Sequence, residues 1–252
     1  MEPQKIIDNK ELYKGLGSTL VLIIADSGAG KSTALRNLPP EHTFIFNVMG
    51  KLLPFPGAPV KYKIGLNMEH QPNATFIVDG MKTQAKKPEI DHIVIDDAQY
   101  IMATEFMQKA MIPGWEKFTI MAKNMWDILT TASYLRDGLK VFVLAHEDYT
   151  PGVVPKRKMK TLGKLLDDKI TPEGLSTIVL FGGVTAEEKP NYFFQTQSDG
   201  ICVAKSPMGM FPLIIPNDLW LVSQRIDEYY RGVELKDSKL DFGKLPQRNL
   251  IK

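Results

Sequence analysis

Short apolar runs rich in β-branched residues recur along the chain, at Thr19 to Ala25, Thr43 to Val48, His92 to Asp96, Lys140 to Ala145 and Thr177 to Phe181. Runs this short and continuous read as strands buried on both faces. Between them the period changes. Phe118, Met121, Met125, Ile128, Leu129, Ala132 and Leu135 repeat one apolar face over roughly five turns, which predicts an amphipathic helix closed by Gly138. Ala98 to Met111 predicts another helix, ended by Pro113-Gly114, and a short one is expected from Lys31 to about Asn37, before Pro39-Pro40. The stretch after Asn73 reads two ways, as a capped helix through about Lys86 or as a strand over Thr75-Phe76-Ile77-Val78 ending at Asp79-Gly80.

Strands alternating with helices of this length imply crossover units, so the expected fold class is α/β, with a mostly parallel central sheet covered by helices on both faces. Late in the chain the pattern changes. Asn191 to Gln197 and Ile201 to Lys205 flank Ser198-Asp199-Gly200, which predicts a hairpin and an antiparallel edge. Pro216-Asn217-Asp218 then opens a helix through about Tyr230, ended by Gly232. Residues 1–232 are expected to form one domain and 233–252 a tail, peripheral or partner-binding.

A chain of 252 residues with 44% hydrophobic content can bury one substantial core. With a net charge of only +2, any basic surface has to be local. The single cysteine, Cys202, excludes an internal disulfide and suits a reducing compartment; it reads as a small buried hydrophobe in a strand. Neither a leader-like start nor an apolar run near the roughly 18 residues of a bilayer span is present, so a soluble, cytoplasmic protein without a membrane partner is expected.

The segment Ala25-Asp26-Ser27-Gly28-Ala29-Gly30-Lys31-Ser32-Thr33 fits the P-loop pattern, with alanine in place of the first glycine. An apolar strand ends at Ala25 and a helix follows Lys31, which is the context that pattern requires. Gly28 and Gly30 allow the backbone to curl so that successive N–H groups face phosphates. Ser27 through Thr33 are therefore the nucleotide-binding candidates, with Lys31 set against the outer phosphates and Ser32 as a magnesium ligand for ATP. Asp96, ending a buried strand about 65 residues on, is the second magnesium candidate. Asp97 is either a water-activating base or a helix cap before Ala98. His146, after the strand Val141 to Ala145, stands where it could sense a terminal phosphate or simply hydrogen-bond near Asp96, and Glu147 beside it is either a second base candidate or a solvated residue.

These segments, with Ile93-Val94-Ile95-Asp96-Asp97-Ala98-Gln99-Tyr100, Lys160-Thr161-Leu162-Gly163-Lys164-Leu165-Leu166-Asp167 and Ala204-Lys205-Ser206-Pro207-Met208-Gly209-Met210-Phe211, resemble phage-encoded RecA-like ATPases over roughly residues 18 to 230. The resemblance implies a RecA-like P-loop ATPase of the host cytoplasm, assembling as a ring or filament and working on single-stranded DNA in recombination, annealing or repair. One departure stands out: such enzymes place a glutamate base after the second core strand, and Asn47-Val48-Met49-Gly50-Lys51 has none. A slow, ATP-gated switch is compatible with that loss.

Lys156, Arg157, Lys158, Lys160 and Lys164 put five basic residues in nine positions. They read as a DNA-facing loop, as a solvated loop balanced by Asp167 and Asp168, or, for Lys158, Lys160 and Lys205, as a cation completing a neighbouring subunit's phosphate site. Tyr192, Phe193 and Phe194 are candidates for base stacking or core packing. Besides an ATPase on single-stranded DNA, two functions fit: a nucleotide-gated interaction protein, such as a helicase loader or packaging accessory, and a small-molecule kinase, for which the chain lacks an evident arginine-rich lid.

Overall fold

The computed structural model describes residues 14–243 except 154, 163, 164, 166–169, 186, 187 and 189. Nine strands form its sheet: β1 Thr19–Ala25, β2 Thr43–Asn47, β3 Met68–Glu69, β4 His92–Asp96, β5 Lys140–Thr150, β6 Lys156–Met159, β7 Ile178–Val184, β8 Tyr192–Gln195 and β9 Ile214–Pro216. Their order is β3-β2-β4-β5-β1-β7-β8-β9, with β6 paired to the far end of β5. From β3 to β7 all neighbours are parallel, whereas β8, β9 and β6 are antiparallel to theirs. The α/β expectation holds at this level.

Both faces of the sheet are covered because alternate residues of each strand point opposite ways. Leu20, Leu22 and Ile24 of β1 pack with helices α2 (Ala74–Ala85), α3 (Gln99–Gln108) and α4 (Glu116–Ser133). Val21 and Ile23 face the 3-10 helix Ser32–Asn37, the one-turn helix α1 (Ala58–Lys61) and α5 (Leu219–Tyr230). The stretch after Asn73 is helical: Asn73 Oδ1 accepts from Phe76 N at 3.0 Å, and Ile77 and Met81 turn into the core. Asp218 caps α5 in the same way, accepting from Trp220 N at 2.9 Å.

The helix expected after the P-loop is present over Ser32–Asn37 and is 3-10 in type, too short to propagate before Pro39-Pro40. Three expectations need correction. Helix α4 ends at Ser133 with Tyr134 as its cap, and Gly138 (φ 77°) instead turns the chain into β5. The hairpin about Ser198-Asp199-Gly200 does not form. Asp199 Oδ1 accepts from the backbone N–H groups of both Ile201 and Cys202 at 2.9 Å, closing a local loop. The late antiparallel strand β8 pairs β7 and β9 instead, and Cys202, though buried, makes only an isolated bridge to Arg157.

The tail is in part docked. Phe242 packs against the α5 side of the core, and Ser238 Oγ donates to Glu228 at 2.6 Å; residues 244–252 lie outside the described residues. Among the described residues no helix is long and apolar enough to cross a membrane.

Arg225 of α5 is fully buried at 0% exposure and donates to Met210 O at 2.6 Å, Val233 O at 3.0 Å and Gly209 O at 3.3 Å, with Glu228 at 3.2 Å. It binds two loops to one helix, and its removal leaves the buried Met210 carbonyl without this donor and Glu228 without its ion-pair partner. Arg225→Ala is expected to lower the unfolding free energy by about 3–5 kcal/mol in urea titrations. A loss under about 1 kcal/mol would mean water replaces the guanidinium.

Candidate functional site

The parallel arrangement brings the C-terminal ends of β1, β5 and β4 to one edge. Ala25 is in register with His146, Ile95 with Val143, and Asn47 with Asp96. In an open parallel sheet that edge is where ligands collect.

Leaving β1, the chain curls through Gly28 (φ 80°) and Gly30 (φ 82°), conformations that side-chain-bearing residues rarely adopt. A Cβ at Gly28 would meet nothing within 4 Å, whereas one at Gly30 would come within 2.7 Å of the Tyr192 ring. Behind the loop, a Cβ on Gly182 of β7 would come within 2.7 Å of Ala25 Cβ, so a glycine there lets the loop sit close on the sheet. Tyr192 lies over Gly30, whereas Phe193 and Phe194 are buried in the core, so of the three aromatics only Tyr192 is free to meet a ligand. Thr33 follows Ser32 into the 3-10 helix.

Lys31 is buried, and its Nζ donates to Ala25 O at 2.9 Å and Asp26 O at 2.8 Å. Burial pulls its pKa below the usual lysine value, against the opposing charges of Asp97, Asp96 and Asp26. Ser32 Oγ donates to Asp96 Oδ1 at 2.9 Å, joining two positions 64 residues apart. The two side chains expected to share a cation therefore touch. The described residues contain no group of three or more His, Cys, Asp or Glu that could hold a metal unaided. One hydroxyl and one carboxylate suit Mg2+, which takes its remaining ligands from phosphates and water.

The adjacent aspartates differ sharply. Burial pushes the Asp96 carboxyl up to about 6, helped by the charge of Asp97 and opposed by the Ser32 hydroxyl and Lys31. Burial also raises Asp97, but hydrogen bonds from His146 and Lys51 outweigh it and hold the group at about 2. Asp97 does not cap helix α3; it takes φ 64°, in the left-handed region, and Ala98 is the residue at the helix start. Its Oδ2 accepts from Lys51 Nζ at 2.7 Å and its Oδ1 lies 3.5 Å from His146 Nε2. A carboxylate so engaged and so acidic is a poor proton acceptor, which counts against Asp97 as the base.

Lys51 is the site residue that sequence reasoning missed. It stands on the loop after β2, where a glutamate was looked for, with its side chain 57% exposed and that of Asp97 9%. The only local signal was a lysine following Gly50. Gln99 was missed likewise; its Oε1 accepts from His146 N at 3.1 Å.

Within the basic run Arg157 is committed to structure. Arg157 donates to Glu147 Oε2 at 2.7 Å and 3.1 Å and stacks on Phe181, which removes it from DNA-contact or trans roles and occupies Glu147 as a base. Lys156 is exposed at the end of β6 and reaches Gly200 O, Lys158 faces Asp148 across β5–β6, and half-buried Lys205 is bridged to Val179. Lys160 lines a cavity with His146 and Asp26 of its own chain. Lys164, Asp167 and Asp168 lie outside the described residues.

Compared with known proteins, the chain matches no family model and no curated relative.

The raised Asp96 carboxyl predicts a stability cost. A group whose folded pKa lies above its unfolded value favours folding when protonated, so stability falls as pH rises from about 4 through about 6 and stays reduced above. Asp97, depressed to about 2, contributes stability above about 4 that is lost only as pH falls toward 2. Without nucleotide, Asp96→Asn is therefore expected to be more stable than the wild type at pH 7 by on the order of 2–3 kcal/mol. In chemical denaturation the difference should vanish near pH 4; a pH-independent difference would contradict the assignment.

Proposed function

We propose that the protein is a RecA-like P-loop ATPase that binds ATP through residues 27–33, with Mg2+ between Ser32 and Asp96, and uses its nucleotide state to act on single-stranded DNA as a ring or filament. The observation that carries the ATPase reading is the 2.9 Å contact of Ser32 with Asp96 beside the buried ammonium of Lys31. A buried lysine at the mouth of a glycine loop calls for an anion, and a hydroxyl paired with a carboxylate calls for a hard cation. A magnesium–triphosphate meets both demands.

Hydrolysis is slow in this reading. Asp97 is neutralised by Lys51, and Glu147 by Arg157, so neither nearby carboxylate is poised to take a proton from water. For DNA, support comes from the β5–β6 hairpin, where Lys156 is accompanied by exposed Tyr149 and Val153, a cation with stacking and apolar surface.

A second reading, a nucleotide-gated interaction protein such as a helicase loader or packaging accessory, is favoured by a different observation. Exposed Leu52 (87%) and Ile64 line a cavity of about 330 Å3 that Lys51 also lines. Lys51 thus belongs both to that apolar surface and to the ion pair with Asp97.

ATP turnover by the wild type and by Lys31→Ala, each with and without single-stranded DNA, separates these. Lys31→Ala is expected to lower turnover at least about 100-fold. The variant should still unfold in one cooperative transition, since the desolvation cost it removes is set against the two hydrogen bonds to Ala25 O and Asp26 O that it loses. DNA stimulation that vanishes in the variant supports action on DNA; turnover indifferent to DNA supports the partner-protein reading. Equal turnover in Lys31→Ala and wild type would contradict the P-loop assignment.

A further inference from the structure

We propose that Gln99 reads the terminal phosphate of the bound nucleoside triphosphate, donating from its Nε2 into the cavity beside Asp26; this rests on the P-loop reading above. Gln99 opens α3, three residues beyond Asp96, and is 6% exposed. Its Oε1 accepts from the backbone N–H of His146 at 3.1 Å. Only the oxygen end of a carboxamide can meet an N–H, so the amide orientation is fixed and Nε2 is the free end. Among the described residues that Nε2 is buried without a hydrogen-bond partner. A buried donor in this state carries a desolvation penalty that an entering acceptor would remove.

The cavity that Gln99 lines, of about 190 Å3, is bounded also by Asp26, His146, Glu147 and Lys160. Asp26 stands at the entry of the P-loop, and Lys31 Nζ is bonded to its carbonyl, so the cavity adjoins the outer end of the phosphate track. Loop amides hold the inner phosphates in such a site, and the lysine reaches outward. The third phosphate is thus the group that arrives at Gln99. Because Gln99 holds the backbone of His146, and His146 neighbours Asp97, the contact also links nucleotide state to the Lys51–Asp97 pair.

Calorimetric titration of ADP and of the non-hydrolysable analogue AMP-PNP, with Mg2+, into the wild type, Gln99→Ala and Gln99→Glu tests this, with melting temperature as the folding control. The wild type is expected to prefer the triphosphate. Gln99→Ala should leave the ADP affinity within about twofold and weaken AMP-PNP about tenfold. Gln99→Glu keeps an acceptor for the His146 N–H but sets a charge against the phosphate, and should weaken AMP-PNP further while folding normally. Equal losses for both ligands would reveal a structural role and overturn the proposal, as would unchanged discrimination in both variants. A wild type that binds neither ligand would instead refute the P-loop reading itself.

Discussion

Everything at the site depends on the parallel alignment of β1, β5 and β4, which brings three chain reversals to one sheet edge. Because β5 runs between the strand that feeds the P-loop and the strand that ends in Asp96, the residues after it are held between the glycine loop and the acidic pair. The alignment is maintained by strands whose side chains are buried on both faces, so a one-residue slip would exchange the core sets of both layers. Ser32 can therefore meet Asp96 across 64 residues of chain.

That alignment concentrates charge. Asp96 and Asp97 are consecutive and both largely buried, and the arrangement persists by giving them different partners. Asp97 is hydrogen-bonded by Lys51 and His146 and stays ionised, while Asp96 accepts from the Ser32 hydroxyl and feels Lys31 and Lys51 only through space, against the charge of Asp97. The result is a carboxylate short of positive charge beside an ammonium held in low-dielectric surroundings. Both carry an electrostatic cost, which the proposed magnesium–triphosphate would offset. Sites of this kind trade stability for binding.

How much of this could be read from the chain depended on how local the determining interaction was. The strands β1 and β4 were legible at both ends, because runs such as Leu20 to Ala25 and Ile93 to Ile95 are apolar without alternation, and the glycine loop announces itself by spacing. The continuation of β5 to Thr150 was not, since beyond Ala145 it leaves the buried sheet and carries His146, Glu147 and Asp148 toward β6. The false hairpin at Ser198-Asp199-Gly200 arose because a turn signal specifies a reversal but not its partner, and Asp199 spends its carboxylate on the loop itself. Lys51 and Gln99 were illegible for a different reason. Their partners lie 46 and 47 residues away, and neither residue type in its own neighbourhood indicates a role. The commitment of Arg157 was illegible in the same manner, since the Glu147 that binds it is ten residues earlier in a strand.

The proposed role of the Ser32–Asp96 contact is to hold a divalent cation. Its most direct test is the Mg2+ dependence of ATP affinity in the wild type and in Ser32→Ala, by equilibrium titration with and without the metal. The account predicts that Mg2+ tightens ATP binding to the wild type and that Ser32→Ala loses most of that gain while keeping its metal-free affinity. An identical gain from Mg2+ in both proteins would contradict it.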